Sequence, residues 1–240
     1  MRNKYVVFKD DDAGKGFLNL KRWVDIVVEH DAKGTIGVIV RYLKDPTLVN
    51  YLNSLDSAKI EVFCHGFSHS YIPFLLKRVI GRNRILPTEF DRDLDSHDNS
   101  LQRYRSLERK HLKTKAISFG PPGNIWNENA VDSLPENDFK MMFSWKKLDG
   151  DIFTIPISES LKQDSLEEFV TYYNKKKNDL IFTLQFHHAD LTEEQFNLIP
   201  EVIDFLKNEE KRIFVNPSDL LGLVEQDDEL SSVMTTKKEW

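Results

Sequence analysis

The stretch YVVFKDDDAG (residues 5–14) begins with four consecutive apolar residues and leads into three adjacent aspartates. A short run of β-branched and aromatic residues is typical of a buried strand. Adjacent carboxylates repel one another unless a cation or a proton compensates their charge. One aspartate could cap a helix that begins near Gly16, but capping does not account for all three. The stretch therefore predicts a strand whose carboxyl end carries chemistry.

Short apolar runs of this kind alternate with longer segments of helical period along the chain. The predicted strands are 4–9, 34–40, 59–64, 115–119, 139–144, 151–156, 180–186 and 212–215. The predicted helices are 16–30, 46–56, 90–111, 126–134, 164–177 and 192–208. The alternation favours one α/β domain over residues 1–224, with a parallel sheet or barrel. Residues 225–240 lack periodicity and are expected to form a disordered tail.

The composition excludes several classes of protein. Lys and Arg number 33 against 39 Asp and Glu, and the net charge of -6 disfavours a nucleic-acid partner, which needs a basic surface. The single cysteine, Cys64, excludes an internal disulfide framework and a cysteine-rich zinc site. Because the chain offers no signal peptide and no apolar run of membrane-spanning length, we expect a cytoplasmic protein without an integral membrane segment.

A basic and apolar insertion follows the third predicted strand, at residues 71–88. It joins the run YIPFLL to four nearby Lys and Arg residues. One interpretation is a loop packed on the rim of the barrel, where long loops often act as lids. The other is an amphipathic basic surface for an anionic or lipid-linked substrate, with peripheral membrane contact.

Two histidines follow the third predicted strand in the sequence CHGFSH (residues 64–69). His65 and His69 are separated by four positions, so on a helical turn they would face one way and could bind one metal ion. An aspartate from another strand end would complete three protein ligands. An isolated histidine pair of this spacing more often caps a helix or packs in the core than binds a metal ion. The neighbouring aspartates nevertheless favour a metal site here.

Two later strand ends also carry unusual residues. The turn SFGPPGNIW (residues 118–126) holds two prolines and two glycines within four positions, which fixes a tight backbone path, with Asn124 as a possible helix cap. The strand LIFTLQF (residues 180–186) leads into His187 and His188. A histidine at such a strand end can donate or accept a proton near neutral pH.

Together these motifs resemble the polysaccharide deacetylases of carbohydrate esterase family four, the nodulation-protein-B type. The shared features are an Asp-Asp pair after strand one, His-Gly-x-x-His after strand three, an aromatic-x-Pro-Pro turn and a late Leu-Gln-x-His. The resemblance covers roughly residues 5–215. It implies a distorted (β/α)7–8 barrel and metal-dependent removal of N- or O-acetyl groups from sugars.

The resemblance also implies roles for individual residues. Asp11 corresponds to the general base, and Asp12, His65 and His69 correspond to the ligands of a divalent metal, with Zn²⁺ expected and Co²⁺, Ni²⁺, Mn²⁺ or Fe²⁺ as alternatives. His187 corresponds to the histidine that protonates the leaving group. Asp10-Asp11 is the competing register for the aspartate pair, and His188 is the competing histidine.

The turn and its surroundings are expected to bind the substrate. Pro121, Pro122 and Asn124 belong to this group, and Trp145 corresponds weakly to the aromatic residue that borders the acetyl pocket in relatives. Gly120 stands where many relatives carry an arginine that orients the catalytic aspartate. Arg41, just past the second predicted strand, is the residue expected to supply that charge instead.

The expected function is therefore metal-dependent deacetylation of an acetylated carbohydrate. Because no signal peptide is recognised, a nucleotide-linked or lipid-linked sugar, or a glycan precursor of surface polysaccharides, is the expected substrate. One rival is a sugar-binding or regulatory module that has lost turnover, which the missing arginine allows. The other is a different His/His/Asp metal enzyme, such as an iron oxygenase, whose usual all-β scaffold disagrees with the predicted alternation.

Overall fold

The computed structural model describes residues 2–67, 94–148 and 151–235. In these residues the strands form a single nine-stranded sheet in which the strand pairs are parallel. The strands are β1 (Lys4–Ala13), β2 (Gly34–Val38), β3 (Ile60–Cys64), β4 (Ser118–Phe119), β5 (Met141–Ser144), β6 (Phe153–Pro156), β7 (Glu159–Ser160), β8 (Ile181–Phe186) and β9 (Arg212–Phe214). Their order is β6-β5-β4-β3-β2-β1-β8-β7, and β9 pairs with the start of β1. The sheet curls into a half-barrel, which confirms the predicted distorted (β/α) barrel.

Helices connect the strands, and most of them cover the outside of the sheet. They are α1 (Phe17–Glu29), α2 (Pro46–Leu52), α3 (Leu94–His111), α4 (Glu128–Glu136), α5 (Leu166–Tyr173), α6 (Glu193–Asp204), α7 (Pro217–Val224) and α8 (Asp228–Met234). Local signals set several of their starts. The Asp45 side chain accepts a hydrogen bond from the backbone N–H of Thr47 at the start of α2, and Thr192 and Gln195 form a capping box at α6.

The central strand β1 separates two apolar clusters because its side chains alternate between the two faces of the sheet. Val6 and Phe8 pack in the larger cluster, against the helices. Tyr5 and Val7 pack in the smaller cluster, inside the half-barrel. Lys9 lies on the same face as Tyr5 and Val7, so the alternation directs a lysine into the barrel interior.

Part of the predicted disordered tail, 225–240, is helical, and residues 236–240 lie outside the described residues. Residues Asp228–Met234 form α8, in which Leu230 and Met234 are fully buried in the interior cluster. The Asp227 side chain caps this helix by accepting hydrogen bonds from two backbone N–H groups. A helix this short shows little periodicity in sequence, and its burial against the barrel stabilises it.

Other differences are small. The two-residue strand β7 and the helix α7 were not predicted, whereas the remaining predicted elements are present with shifted ends. The insertion 71–88 lies outside the described residues. None of the helices in the described part of the chain combines the length and hydropathy that a membrane crossing requires.

Candidate functional site

Several polar residues of the sequence motifs lie at the carboxyl ends of β1, β3, β4 and β8, which meet at one edge of the parallel sheet. Asp11 and Asp12 lie at the end of β1, and His65 directly follows β3. His187 directly follows β8, which pairs with β1. Strand ends that are far apart in sequence thus bring these four side chains together, as is usual for sites on parallel sheets.

Lys9 forms a buried ion pair with Asp11. The Lys9 ammonium donates to both carboxylate oxygens of Asp11, at 2.5 and 2.6 Å, and its side chain has no exposed surface. The ammonium also lies 5.2 and 5.3 Å from the ring centroids of Phe63 and Phe143, within the range of a cation–π contact. Lys9 is therefore held by a carboxylate and two aromatic rings.

The two charges shift each other's titration. Burial lowers the pKa of Lys9, and the neighbouring carboxylates offset part of that effect. Burial raises the pKa of Asp11, but the charges of Lys9, His65 and His187 outweigh it and hold the pKa below its usual value. Asp11 is consequently ionised at neutral pH.

His65 lies close to both Asp11 and Asp12. The Nδ1 atom of His65 lies 2.7 Å from the carbonyl oxygen of Gly120. Because a carbonyl oxygen only accepts, Nδ1 carries a proton and donates it to Gly120, which leaves Nε2 as the ring nitrogen that faces Asp12. That Nε2 atom lies 3.5 Å from Oδ1 of Asp12. The other Asp12 oxygen, Oδ2, accepts a hydrogen bond from the Lys15 ammonium at 2.8 Å.

Asp12 owes this position to an irregularity in β1. Its φ is +69°, and the register between β1 and β2 shifts between Asp10 and Ala13. A bulge of this kind breaks the alternation of side chains and redirects one of them. Asp12 therefore reaches His65, where a regular strand would direct it to the same face as Asp10.

The imidazole and carboxylate donors fit a divalent metal. Two ligands held tetrahedrally around one zinc ion at about 2.0–2.2 Å are separated by about 3.3–3.6 Å, and the separation of Nε2 and Oδ1 falls within that range. The third predicted ligand, His69, lies outside the described residues. Within those residues, no three His, Cys, Asp or Glu side chains converge as a metal site.

Asp10 and His188 form a separate, fully buried pair. Nδ1 of His188 lies 2.6 Å from Oδ2 of Asp10, and Nε2 lies 2.6 Å from the carbonyl oxygen of Lys15. Because both partners are acceptors, both ring nitrogens carry protons. Burial opposes this charge, but the Asp10 carboxylate prevails and raises the pKa of His188 to about 9. Asp10 is occupied by this pair, so the geometry favours the Asp11-Asp12 register over Asp10-Asp11.

His187 lies beside Asp11 with part of its side chain exposed to solvent. Its Nε2 atom lies 3.8 Å from Oδ2 of Asp11 and 3.4 Å from the amide nitrogen of Gln185. About a third of its side chain, 37%, is exposed, whereas His188 is completely buried. Of the two neighbouring histidines, His187 is the one that a substrate can reach.

The proline turn lies close to His187, because Asn124 of the turn contacts Gln185. Pro121 and Pro122 are buried, and Asn124 adopts a left-handed conformation with φ of +54°. The Asn124 amide donates to Oε1 of Gln185 at 3.3 Å. The turn thus fixes one wall of the site.

The cation beside Asp11 is Lys9 and not Arg41. The Arg41 side chain is exposed, donates to the Tyr42 hydroxyl and lies over the Tyr42 ring. A Cβ atom on Gly120 would lie 2.6 Å from the Phe63 ring, so the arginine common at this position has no room. Sequence analysis missed Lys9, although its place two residues before Asp11, on the same face of an apolar strand, was a signal for it.

Trp145 lies directly after β5 and is exposed over 51% of its surface. It lines a cavity of about 1050 Å³ together with Asn124 and Trp126. Its predicted role at the border of an acetyl pocket remains a prediction.

Comparison with solved structures supports the fold. A family 4 carbohydrate esterase pseudoenzyme of Bacillus anthracis is 18% identical, with a TM-score of 0.66 over 92% of this chain and 66% of that one. A family 4 acetyl xylan esterase of Clostridium thermocellum, in complex with a cobalt ion, is 16% identical, with a TM-score of 0.62 over 97% of both chains. A family 4 carbohydrate esterase of Streptomyces lividans, in complex with acetate, is 15% identical, with a TM-score of 0.57 over 88% of this chain and 91% of that one.

These likenesses confirm the nodulation-protein-B type of barrel, and the resemblance to the carbohydrate esterases is one of fold. Comparison with curated protein sequences gives no match. A family model described as glycosyl hydrolase family 57 matches residues 5–185, which is more than half of the 240-residue chain. This family differs from the one that the sequence motifs resemble. The chain belongs to glycosyl hydrolase family 57 and is built on the fold of the family 4 carbohydrate esterases.

Proposed function

We propose that the protein is a metal-dependent hydrolase that removes an N- or O-acetyl group from a sugar. The observation that carries the proposal is the convergence of Asp11, Asp12, His65 and His187 at one end of the barrel. A carboxylate held ionised, a pair of metal donors and an accessible histidine are the groups that acyl hydrolysis requires. Two of the three fold neighbours described above are carbohydrate esterases, which supports the same reaction class.

Asp12 and His65, joined by His69 from outside the described residues, would hold the metal ion. A bound divalent cation supplies a nucleophilic water at neutral pH and polarises the acetyl carbonyl. The hydrogen bond from Nδ1 of His65 to the carbonyl oxygen of Gly120 fixes the tautomer and leaves Nε2 as the ligand atom.

The remaining residues move protons. Asp11 accepts the proton of the attacking water, and the Lys9 ammonium holds its two oxygens in one orientation. His187, in its protonated form, donates to the nitrogen or oxygen of the leaving sugar. The 3.8 Å between Nε2 of His187 and Oδ2 of Asp11 supports a joint action of these two residues on one substrate.

Glycosidic bond cleavage is the second candidate, because the matching family model is described as a glycosyl hydrolase family. That reaction uses two carboxyl groups on either side of the scissile bond, one of them with a raised pKa. Here the three neighbouring aspartates come from a single strand end. Burial raises the pKa of Asp10, but this carboxylate is fully buried in its pair with His188, and the pKa of Asp11 is lowered. These features favour deacetylation.

One experiment separates the two reactions. Protein stripped with EDTA and then reloaded with Zn²⁺ or Co²⁺ is incubated with acetylated sugars, and both acetate and new reducing ends are measured. We expect metal-dependent acetate release that Asp11→Asn and His187→Gln abolish and that the distant control His30→Gln leaves intact. New reducing ends without acetate would establish the glycosidase instead.

The same assay tests the substrate class and the rival functions. The proposed substrates are a nucleotide-linked sugar, a lipid-linked sugar and a glycan precursor of surface polysaccharides, acted on in the cytoplasm. Metal binding without turnover on any of them would identify a sugar-binding or regulatory module. Oxygen consumption by the iron-loaded protein would identify the oxygenase alternative.

A further inference from the structure

A buried glutamine contacts His187 from the same strand. Gln185 precedes His187 by two positions, near the end of β8, and only 2% of its surface is exposed. The strand β8 is paired with β1 on one side and with β7 on the other, and Gln185 takes part in both pairings. The backbone of Gln185 is therefore held in place from both sides.

Gln185 repeats on β8 the arrangement that Lys9 has on β1. The two residues are register partners in the pairing of these strands. Each lies two positions before a residue with a proposed catalytic role, and the alternation of side chains directs it to the same face as that residue. Lys9 contacts Asp11 with a charge. Gln185 contacts His187 with a neutral amide, which adds no second anion that would compete with Asp11 for the Lys9 ammonium.

The contact to His187 belongs to a chain of two side-chain amides. The amide nitrogen of Asn124 donates to Oε1 of Gln185 at 3.3 Å. The amide nitrogen of Gln185, Nε2, lies 3.4 Å from Nε2 of His187. Because an amide nitrogen only donates, Nε2 of His187 accepts in this arrangement and carries no proton. The neutral His187 ring therefore has its proton on Nδ1.

The same chain of amides can run in the opposite direction. A half turn of the Gln185 amide presents Oε1 to His187 and the amide nitrogen to Asn124. The Oδ1 atom of Asn124 is buried and has no hydrogen-bond partner in the part of the chain that the structure describes, so the Asn124 amide can turn as well and accept. With this polarity Gln185 accepts a hydrogen bond from a protonated Nε2 of His187. Both proton states of the ring thus find a partner at one position.

We propose that Gln185, supported by Asn124, is a positioning residue for His187 and holds the ring in one place in both of its proton states. The role of His187 as proton donor rests on the proposed function. A general acid loses its proton during the reaction and regains it afterwards, so a partner that both donates and accepts suits it. An ionised carboxylate at position 185 would only accept, and a hydrophobic side chain would do neither.

The position of the proton on the neutral His187 ring tests the proposal without requiring turnover. Two-bond proton–nitrogen correlation spectra of the metal-free protein, with nitrogen-15 in its histidine rings, distinguish the two tautomers, and the signals that His187→Gln lacks identify the ring. The spectra are recorded at a pH at which the ring is neutral. We expect the proton on Nδ1 in the wild type. Gln185→Met removes the amide donor and leaves the Asp11 carboxylate, at 3.8 Å, beside Nε2, so the proton should move to Nε2.

Asn124→Asp tests the chain of amides itself. The new carboxylate only accepts, so the Gln185 amide should turn its nitrogen toward it and present Oε1 to His187. The proton should then lie on Nε2 of His187, and Asn124→Asp should have no further effect in the presence of Gln185→Met. Aspartate tolerates the left-handed backbone at position 124. The matched control is Gln226→Met, at an exposed glutamine, which should keep the wild-type tautomer.

Acetate release provides a second measurement. Gln185→Met should lower kcat by about 10-fold or more with little change in KM, because general acid catalysis contributes about 10²–10⁴-fold and a displaced donor loses part of it. The proposal is overturned if both variants keep the wild-type tautomer while circular dichroism shows that they are folded, or if Gln185→Met keeps the wild-type kcat. Because the spectra need neither metal nor acetate release, they decide the role of Gln185 even if the proposed deacetylase reaction fails.

Discussion

The Lys9 ammonium lies 2.5 and 2.6 Å from the two carboxylate oxygens of Asp11, and neither side chain has more than 2% of its surface exposed. The two residues are two positions apart on β1, so the alternation of the strand directs both into the barrel. Lys9 thereby supplies a positive charge beside Asp11. An arginine at position 120 would have no room, because Phe63 fills that space. A buried charge pair of this kind fixes the geometry of its members more than it stabilises the fold.

Removing the Lys9 ammonium should impair catalysis. We expect Lys9→Met to lower kcat for acetate release by about 100-fold or more, because a mispositioned catalytic group costs on that order, while KM changes little. Lys9→Arg should retain more activity than Lys9→Met. Arg41→Ala, which alters a cation far from Asp11, is the control and should keep full activity. A Lys9→Met variant with nearly unchanged kcat would remove Lys9 from the mechanism.

Gly120 and Phe63 should be energetically coupled. A Cβ atom at Gly120 would lie 2.6 Å from the Phe63 ring, so Gly120→Ala should destabilise the protein by about 1–3 kcal/mol through overpacking. Combining it with Phe63→Leu should cost less than the sum of the two single changes. Urea unfolding of the four proteins measures this coupling.

Gly222→Ala is the matched control for that cycle. A Cβ atom there meets no atom within 4 Å, and Gly222 lies in the interior of α7. We expect this change to be neutral or to stabilise the protein by up to about 1 kcal/mol through helix propensity. Equal destabilisation by both alanine substitutions would contradict the steric explanation.

The pair of His188 and Asp10 should make stability depend on pH. The pKa of His188 is raised from 6.5 to about 9 in the folded protein, so the protonated ring stabilises the fold fully below about pH 6.5. That contribution is lost as the pH rises through about 9. Chemical unfolding of wild type and His188→Asn in EDTA, at pH 6 and pH 9.5, should show a difference that shrinks at the higher pH. A difference independent of pH would mean that His188 is neutral in the folded protein.

Metal binding should depend on His65 and Asp12. We expect stoichiometric Zn²⁺ or Co²⁺ in the reloaded wild type, measured by mass spectrometry after desalting. His65→Ala, His69→Ala and Asp12→Ala should each lose most of it, because each removes one of the proposed protein ligands. His30→Gln is the histidine control. Full metal content in His65→Ala would refute the assignment of that ligand.

The carboxyl-terminal helix α8 should contribute to stability. Leu230 is fully buried in the interior cluster, and Leu230→Ala should destabilise the protein by about 2–5 kcal/mol. Val233 lies on the same helix with 39% of its surface exposed, and Val233→Ala should change stability by no more than about 0.5 kcal/mol. Thermal or urea unfolding compares the two variants directly, and equal values would indicate that α8 does not pack on the barrel in solution.

The sequence alone predicted most of the strands and helices in their order, and the strand ends at which the candidate site residues lie. Hydrophobic periodicity and the short turn and cap motifs are local signals that a sequence contains. They predicted alternating strands and helices, and this alternation predicted the parallel barrel in which the ends of β1, β3 and β8 converge. The sequence left two aspartate pairs open, Asp10-Asp11 and Asp11-Asp12, and two candidates for the late histidine, His187 and His188. Neighbouring residues of one type are equivalent in sequence.

The tertiary structure distinguishes these alternatives by their contacts. Asp10 and His188 meet each other at 2.6 Å in a buried pair, which supports the proposed roles of Asp11, Asp12 and His187. Lys9, and not the expected Arg41, lies beside Asp11 because β1 directs it into the barrel, where it reaches both carboxylate oxygens, whereas the Arg41 side chain lies over Tyr42. The helix α8 forms because the barrel buries Leu230 and Met234. Each outcome depends on contacts between residues distant in sequence, whose energies no local pattern contains.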